Sequence, residues 1–170
     1  DFKKGARADE RAVKDAMKLV GYRDLRLDRE KSEAFLVKRG AAIDPGGITK
    51  GFAADRVAAV LAGRGVVSGL VAMSGDIRVL GAKPDGSAWE VGIRHPEKGE
   101  GDLIAAVPVR AGGVSTSGSY ERYIRRDGGI DHHIFDPATG RSPDSLRSVT
   151  IVAESAARSD ALAPAVFALG

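Results

Sequence analysis

The chain has 170 residues, with 26 Lys and Arg against 23 Asp and Glu, so its net charge at pH 7 is +3. This length predicts one domain large enough to bury a hydrophobic core, and a hydrophobic content of 43% excludes disorder as the default state. The absence of cysteine excludes disulfides, cysteine-based zinc sites and thiol nucleophiles, and no apolar run reaches the roughly 20 residues of a membrane span.

The first 40 residues predict one helix and two short strands. The chain opens on the charged residues Asp1-Phe2-Lys3-Lys4, unlike a signal peptide, so we expect any export signal to be absent or already removed. A helix over residues 9–20 follows, with Asp9 as its N-cap. Residues 23–28 and 33–39 predict two strands joined by a polar turn.

From residue 40 onward the pattern predicts a glycine-rich turn, a helix over residues 49–62 and then mainly strands. The predicted strands are 66–73, 77–82, 89–94, 103–109, 120–125, 130–135 and 148–154. A final helix over residues 159–169 contains Pro164. Runs of strands bracketed by helices predict an α+β fold, in which helices pack on an antiparallel or mixed sheet.

The segment Asp44-Pro45-Gly46-Gly47-Ile48-Thr49-Lys50-Gly51 has the chemistry of a phosphate-binding turn. Main-chain amides at a helix N-terminus attract anions, glycines let a ligand approach the backbone, and a lysine adds a compact positive charge. The spacing differs from that of a Walker A motif. An ordinary tight turn before a helix is the alternative interpretation.

Three further segments each allow a functional and a purely structural interpretation. Met73-Ser74-Gly75-Asp76-Ile77 is a turn with an acid at the bend. Ser115-Thr116-Ser117-Gly118-Ser119-Tyr120 predicts a loop whose hydroxyls suit phosphate or ribose oxygens, or simply face solvent. Asp160 begins the last predicted helix, either as an acid stabilised by the helix dipole or as a hard-oxygen ligand for Mg²⁺.

Two adjacent histidines precede an Asp136-Pro137-Ala138-Thr139-Gly140 turn. In a strand, His132 and His133 point to opposite faces, so at most one of them faces a given site. A structural and a functional role both remain open for the pair. A zinc site is disfavoured because no third histidine or cysteine supports it.

Taken in order, these segments resemble the FAD:protein FMN transferase family, also called the ApbE family. The matching stretches run from about residue 40 to the end of the chain: DPGGITKGFAADRVA, VAMSGDI, GVSTSGSYERY, DHHIFDPATG and SVTIVAESAARSDALAPAVFALG. The resemblance implies an α+β transferase that binds FAD and Mg²⁺, cleaves the pyrophosphate of FAD and attaches FMN through a phosphoester to a threonine of a target protein. It also implies a flavin-carrying redox-pump subunit as partner, and a location in the periplasm or on the outer face of the cytoplasmic membrane, often with a lipid anchor.

The resemblance also assigns roles to residues of this chain. His133 matches the histidine that acts on the incoming threonine. The positions assigned to FAD are Asp44, Lys50, Asp76, Ser117, His133 and Ile134. The positions assigned to Mg²⁺ are Gly47, through its main-chain carbonyl, and Asp160.

The sequence departs from the family pattern near the last of these positions. Pro164 stands where the family has a threonine, and Ala163 stands where some members have an aspartate, so neither residue offers a side-chain oxygen to a metal. Family members also carry a longer region ahead of the equivalent of residue 40. We therefore expect residues 1–170 to be a single domain that resembles the C-terminal core of a larger transferase. The alternatives are a catalytically impaired FAD-binding or scaffold relative and a purely structural domain. Nucleic-acid binding is disfavoured because the chain has few aromatic residues.

Overall fold

The described part of the chain, residues 8–99 and 101–170 of a computed structural model, contains three α-helices and ten β-strands. The charged start of the chain lies outside the described residues. The helices are α1 (Glu10–Met17), α2 (Thr49–Ala62) and α3 (Ala156–Leu169). The strands are β1 (Leu25–Asp28), β2 (Glu33–Leu36), β3 (Gly69–Met73), β4 (Asp76–Leu80), β5 (Trp89–Arg94), β6 (Leu103–Val109), β7 (Gly112–Gly118), β8 (Tyr123–Arg126), β9 (Gly129–His132) and β10 (Ser148–Ala153). Among these residues, no helix combines the length and apolar character that a bilayer crossing requires.

The central element is a four-stranded sheet in the order β10-β7-β4-β3, and each of its pairings is antiparallel. Three two-stranded hairpins accompany it, formed by β1 with β2, β5 with β6 and β8 with β9. Helices packed on an antiparallel sheet confirm the predicted α+β fold.

The two faces of the central sheet are covered by different elements, because successive side chains of a strand point to opposite sides. On one face α2 and α3 pack on the sheet, and the buried residues there are Ala54, Ala58, Val71 and Ala156. On the other face the β5–β6 hairpin covers the sheet through Val79, Val91, Val109 and Val114. Within β4, Ile77 and Val79 therefore face the hairpin, and Asp76 and Arg78 face the helices.

A two-residue turn joins β3 to β4 and fixes the direction of Asp76. Ser74 and Gly75 both have positive φ, at 48° and 97°, and Met73 pairs with Asp76 across the turn. Positive φ at both central residues is the requirement of the tight hairpin turn whose twist matches that of the strands. The carboxylate of Asp76 consequently enters the sheet on its helix-covered side.

The structure corrects the predicted boundaries at several elements. The hydroxyl-rich segment predicted as a loop forms most of strand β7, and the strand predicted over 130–135 ends at His132. Strand β7 escapes prediction because glycines replace the apolar residues that usually mark a strand. A Cβ atom at Gly113 would lie 2.4 Å from the backbone of Ala156, so α3 rests directly on the strand and leaves no room for a side chain.

Candidate active site

The glycine-rich turn lies against α3. Its residues Pro45–Gly47 form a short 3₁₀ turn, and the Asp44 carboxylate accepts a hydrogen bond from the Gly46 N–H at 2.8 Å. A Cβ atom at Gly47 would lie 3.6 Å from Cγ of Pro164, in the middle of α3. Asp44 thus shapes the turn with its own side chain, and the turn ends beside the helix that carries Asp160.

Lys50, directly after this turn, is held between two acidic side chains. Its Nζ lies 2.7 Å from Oδ2 of Asp76 and 3.3 Å from Oδ1 of Asp160. Asp76 and Asp160 are only 3% and 4% exposed, so their charges are largely shielded from bulk water. Partial burial disfavours the ammonium, but the hydrogen bond and charge of Asp76 and the charge of Asp160 outweigh it and raise the pKa of Lys50. The ammonium therefore stays charged at neutral pH.

The two helices cap each other across their contact. Oδ2 of Asp160, on α3, accepts the Gly51 N–H in the first turn of α2 at 2.8 Å. In return Asp55, on α2, accepts the N–H groups of Ala156 and Ala157 in the first turn of α3, at 3.0 and 2.8 Å. The first amides of a helix have no partner within it, and a carboxylate at that end also suits the helix dipole. This reciprocal capping fixes where Asp160 stands relative to Lys50.

The role predicted for Asp160 as the acid at the start of its own helix is wrong. Helix α3 begins at Ala156 with Ser155 as its N-cap, so Asp160 lies in the second turn of the helix. Its carboxylate is buried and reaches across to α2. The other predicted role, as a ligand of Mg²⁺, stays a prediction.

The hydroxyl-rich segment contributes to packing at this junction. Oγ of Ser115 lies 2.8 Å from Oγ of Ser159, and the Ser159 hydroxyl donates to the carbonyl oxygen of Ala156. Ser117 pairs with Val149 within the sheet and is half-buried. Ser115 and Ser117 are therefore part of strand β7 beneath α3, and the predicted contact of Ser117 with FAD stays a prediction.

His133 and Ile134 lie on a separate segment that follows β9. The His133 N–H donates to the carbonyl oxygen of Arg122 at 3.1 Å, and its ring Nδ1 lies 3.4 Å from the same oxygen. Partial burial of the ring lowers the pKa of His133 below 6.5, so the imidazole is neutral and able to accept a proton at pH 7. His133 is exposed whereas His132 and Ile134 are buried, which confirms that the two histidines face opposite ways.

Two residues of the junction escaped sequence reasoning. Gly51 lies inside a helical pattern, where glycine is less favourable than alanine unless packing requires it. A Cβ atom there would lie 2.1 Å from the carbonyl oxygen of Ala156, which is the contact that the glycine permits. No local sequence pattern indicates the capping role of Asp55, because the amides that it caps belong to residues more than a hundred positions away in the chain.

The oxygen donors at the junction are of the chemical type that binds a magnesium ion. Among the described residues, no three His, Cys, Asp or Glu side chains form a metal-binding group. Two nearly buried carboxylates share one ammonium, which leaves one net negative charge beside the Gly47 turn. Carboxylate and carbonyl oxygens are the hard donors that Mg²⁺ prefers, and the ion commonly takes its remaining ligands from phosphate oxygens and water.

Comparison with known proteins identifies the family. The model of the ApbE family matches residues 1–170. Curated relatives include the FAD:protein FMN transferases of Treponema pallidum (strain Nichols), 38% identical over 99% of this chain and 51% of that protein, and of Escherichia coli (strain K12), 33% identical over 92% and 46%. This chain therefore spans about half the length of these relatives.

Solved structures agree with the sequence comparison. The crystal structure of the ApbE protein from Thermotoga maritima matches with a TM-score of 0.89 and 35% identity, over 99% of this chain and 54% of the other. The apo form of the flavinyl transferase ApbE from Pseudomonas stutzeri matches with a TM-score of 0.80 and 32% identity, over 97% and 50%. Because the family model covers the whole chain and relatives above 30% identity share its fold, this chain belongs to the ApbE family.

Proposed function

We propose that this chain carries the FMN-transferring site of an FAD:protein FMN transferase, which moves FMN from FAD to a threonine of an acceptor protein. The observation that supports this most is the Lys50 ammonium, held between the carboxylates of Asp76 and Asp160 beside a glycine-rich turn. Curated relatives from Treponema pallidum and Escherichia coli are named for this activity.

The Gly46–Gly47 turn and Lys50 are the proposed contacts for the pyrophosphate of FAD. Neither glycine of the turn has a Cβ atom, so a phosphate oxygen can approach the main chain there. Lys50 adds a positive charge that Asp76 and Asp160 hold in one place. The positions of Asp44, Ser117 and Ile134 are proposed FAD contacts on the family resemblance alone.

The charge balance of the junction supports a requirement for Mg²⁺. Two carboxylates and one ammonium leave a net negative charge, which repels a pyrophosphate unless a further cation is present. The Asp160 carboxylate and the main-chain carbonyl of Gly47 would hold the ion. When bound, Mg²⁺ neutralises charge on the pyrophosphate and makes AMP a better leaving group.

His133 is the proposed proton acceptor. Its neutral imidazole takes the proton of the acceptor threonine as the hydroxyl oxygen attacks the phosphorus of the FMN moiety. The new O–P bond of the phosphoester forms while the P–O bond to AMP breaks, and AMP leaves with the bridging oxygen. Partial burial of His133, which keeps the ring neutral at pH 7, supports this role.

The acceptor and the location are proposed from the family resemblance. We propose a flavin-carrying redox-pump subunit as the acceptor. We also propose that the protein acts in the periplasm or on the outer face of the cytoplasmic membrane, with a possible lipid anchor. Fractionation of cells that produce the protein tests the location, and recovery in the cytoplasm would contradict it.

Transfer is tested by mixing this chain with FAD, MgCl₂ and a threonine-bearing redox-pump subunit. Release of AMP and covalent flavin fluorescence on the acceptor are followed together. Lys50→Met is expected to lower the transfer rate by roughly 100-fold or more. Lys38→Met is the matched control, because Lys38 pairs with Asp24 near the surface and has no part in the junction. Equal transfer by Lys50→Met and the unaltered chain would refute the proposed site.

A catalytically impaired FAD-binding relative is the second candidate, and Pro164 and Ala163 favour it. Neither residue offers the side-chain oxygen that the family pattern supplies there. Flavin fluorescence quenching separates the two candidates: FAD binding without AMP release, at any Mg²⁺ concentration, would support the second.

A further inference from the structure

A buried histidine with no part in the proposed chemistry lies directly beside His133. His132 is 1% exposed, and its ring contacts three separate segments of the chain. Its Nε2 lies 2.7 Å from the carbonyl oxygen of Pro143, its Nδ1 accepts the Ile134 N–H at 3.3 Å, and its edge meets the ring of Phe167 with 5.3 Å between centroids. The imidazole thus joins the segment after β9, the Pro143 segment and the last turns of α3.

These contacts define the protonation state of the ring. A backbone N–H only donates, so Nδ1 of His132 must present its lone pair to Ile134. A carbonyl oxygen only accepts, so Nε2 must carry the hydrogen that faces Pro143. The ring is therefore the neutral Nε2–H tautomer, with both nitrogens paired inside the protein.

The main chain of His132 is fixed separately from its ring. The His132 N–H donates to the Ser142 hydroxyl at 2.9 Å, and that hydroxyl donates to the His132 carbonyl oxygen at 2.6 Å. These bonds hold the peptide before His133. The ring of His132 holds the peptide after it, because its Nδ1 binds the amide of Ile134.

His133 itself is anchored through the backbone. Its N–H donates to the carbonyl oxygen of Arg122, and its partly buried ring lies beside the same oxygen. The two peptides that flank His133 set the direction in which its side chain leaves the backbone. The peptide between His133 and Ile134 is one of these, and it is bound to the His132 ring.

We propose that His132 is a positioning residue for His133: its neutral ring binds the Ile134 amide and thereby sets where the His133 imidazole stands. The proposal deepens the proposed function, since it rests on His133 as the proton acceptor. His132 is no catalytic residue, because its buried ring is occupied by Pro143, Ile134 and Phe167.

The main test is an NMR titration of the His133 ring in two variants of His132. The charged or titratable groups that face His133 are Arg122, Glu121 and His132. His132→Phe keeps a ring against Phe167 but loses both hydrogen bonds, so we expect His133 to move into solvent and its pKa to rise towards the ordinary value for histidine. His132→Gln offers an amide oxygen to Ile134 and an amide N–H to Pro143, and is expected to leave the pKa of His133 near its original value. Because both variants remove the His132 imidazole, a difference between them reports position and not charge.

Thr116→Val is the matched control for a general loss of stability. It removes the hydrogen bond between Thr116 and Thr150, 2.8 Å long, within the central sheet. We expect no change in the pKa of His133 in this variant. An unchanged pKa of His133 in His132→Phe, or an equal rise in all three variants, would overturn the proposal.

A measurement on the unaltered chain keeps the proposal testable even if His132→Phe fails to fold. Long-range ¹H–¹⁵N spectra report the tautomer of a histidine ring, and the Nε2–H form is expected for His132 at pH 7. An imidazolium or an Nδ1–H form would overturn the proposal. These spectra do not depend on FMN transfer, so a chain without transfer activity would refute the proposed function and leave this inference to be decided by the NMR data. Where transfer is measured, His132→Phe is expected to lower kcat by roughly 10-fold with little change in the KM for FAD.

Discussion

Replacing Gly51 by alanine is expected to push α2 away from α3 and to disrupt the junction at Lys50. The new Cβ would lie 2.1 Å from the carbonyl oxygen of Ala156 and 2.7 Å from Cβ of Asp160, whereas real Cβ atoms essentially never approach closer than 3.0 Å. The backbones must therefore separate by roughly 1 Å, since a packed interior does not absorb such an overlap. This separation also removes the hydrogen bond from the Gly51 N–H to Asp160.

The size of the effect follows from three contributions. Alanine is a better helix former than glycine by about 1 kcal/mol, which stabilises the variant. Overpacking costs about 1–3 kcal/mol, and loss of a hydrogen bond to a charged group costs about 1.5–3 kcal/mol. The free energy of unfolding is expected to fall by about 3 kcal/mol, which lowers the urea midpoint by about 1.5 M at an m-value of about 2 kcal/mol per molar.

Gly63→Ala, at the C-cap of the same helix, provides the matched control. Gly63 has φ −63° and ψ −13°, which alanine adopts freely, and a Cβ there would be 3.4 Å from the nearest backbone atom. We expect this variant to be as stable as the unaltered chain or more stable by up to about 1 kcal/mol. Urea unfolding followed by circular dichroism measures both variants. If Gly51→Ala unfolds within about 0.5 kcal/mol of the control, the close contact between the helices is refuted.

Three other perturbations test the remaining parts of the site. Asp55→Ala removes the acceptor for the Ala156 and Ala157 amides and is expected to lower the free energy of unfolding by about 2 kcal/mol, measured in urea; a loss below about 0.5 kcal/mol would contradict the reciprocal capping. Pro164→Thr supplies a hydroxyl beside Gly47 and is expected to raise Mg²⁺ affinity by roughly 10-fold in titration calorimetry; Pro164→Ala gives the same relief of the helix without the oxygen, and equal affinities in the two variants would refute the reasoning. Because partial burial lowers the pKa of His133, its proton-accepting form persists to lower pH than that of an ordinary histidine, so the acid limb of kcat/KM for FMN transfer is expected below pH 6.5; an acid limb at or above that value would argue against His133 as the proton acceptor.

The elements with a clear local pattern were predicted well from the sequence. Helix α2 occupies the predicted residues 49–62, and Asp9 caps α1 by accepting the Arg11 N–H, because apolar spacing and capping residues act within a few positions of each other. Strand β7 was missed for the opposite reason. Its Gly113 is required by the approach of Ala156, which lies more than forty residues further along the chain.

The residue types of the site are predictable from local sequence: a glycine-rich turn with a lysine, two acids on separate motifs and a histidine before an Asp-Pro turn. How these residues come together depends on the packing of the folded chain. The sheet register and the two-residue turn at Gly75 bring Asp76 to Lys50, and the mutual capping of α2 and α3 brings Asp160 there. Contacts between residues so distant in sequence depend on how whole elements pack, and local propensity carries no record of that packing. The same reason explains the difference at Asp160. The local pattern predicts an acid at the start of its own helix, whereas in the fold its buried carboxylate binds the first turn of α2.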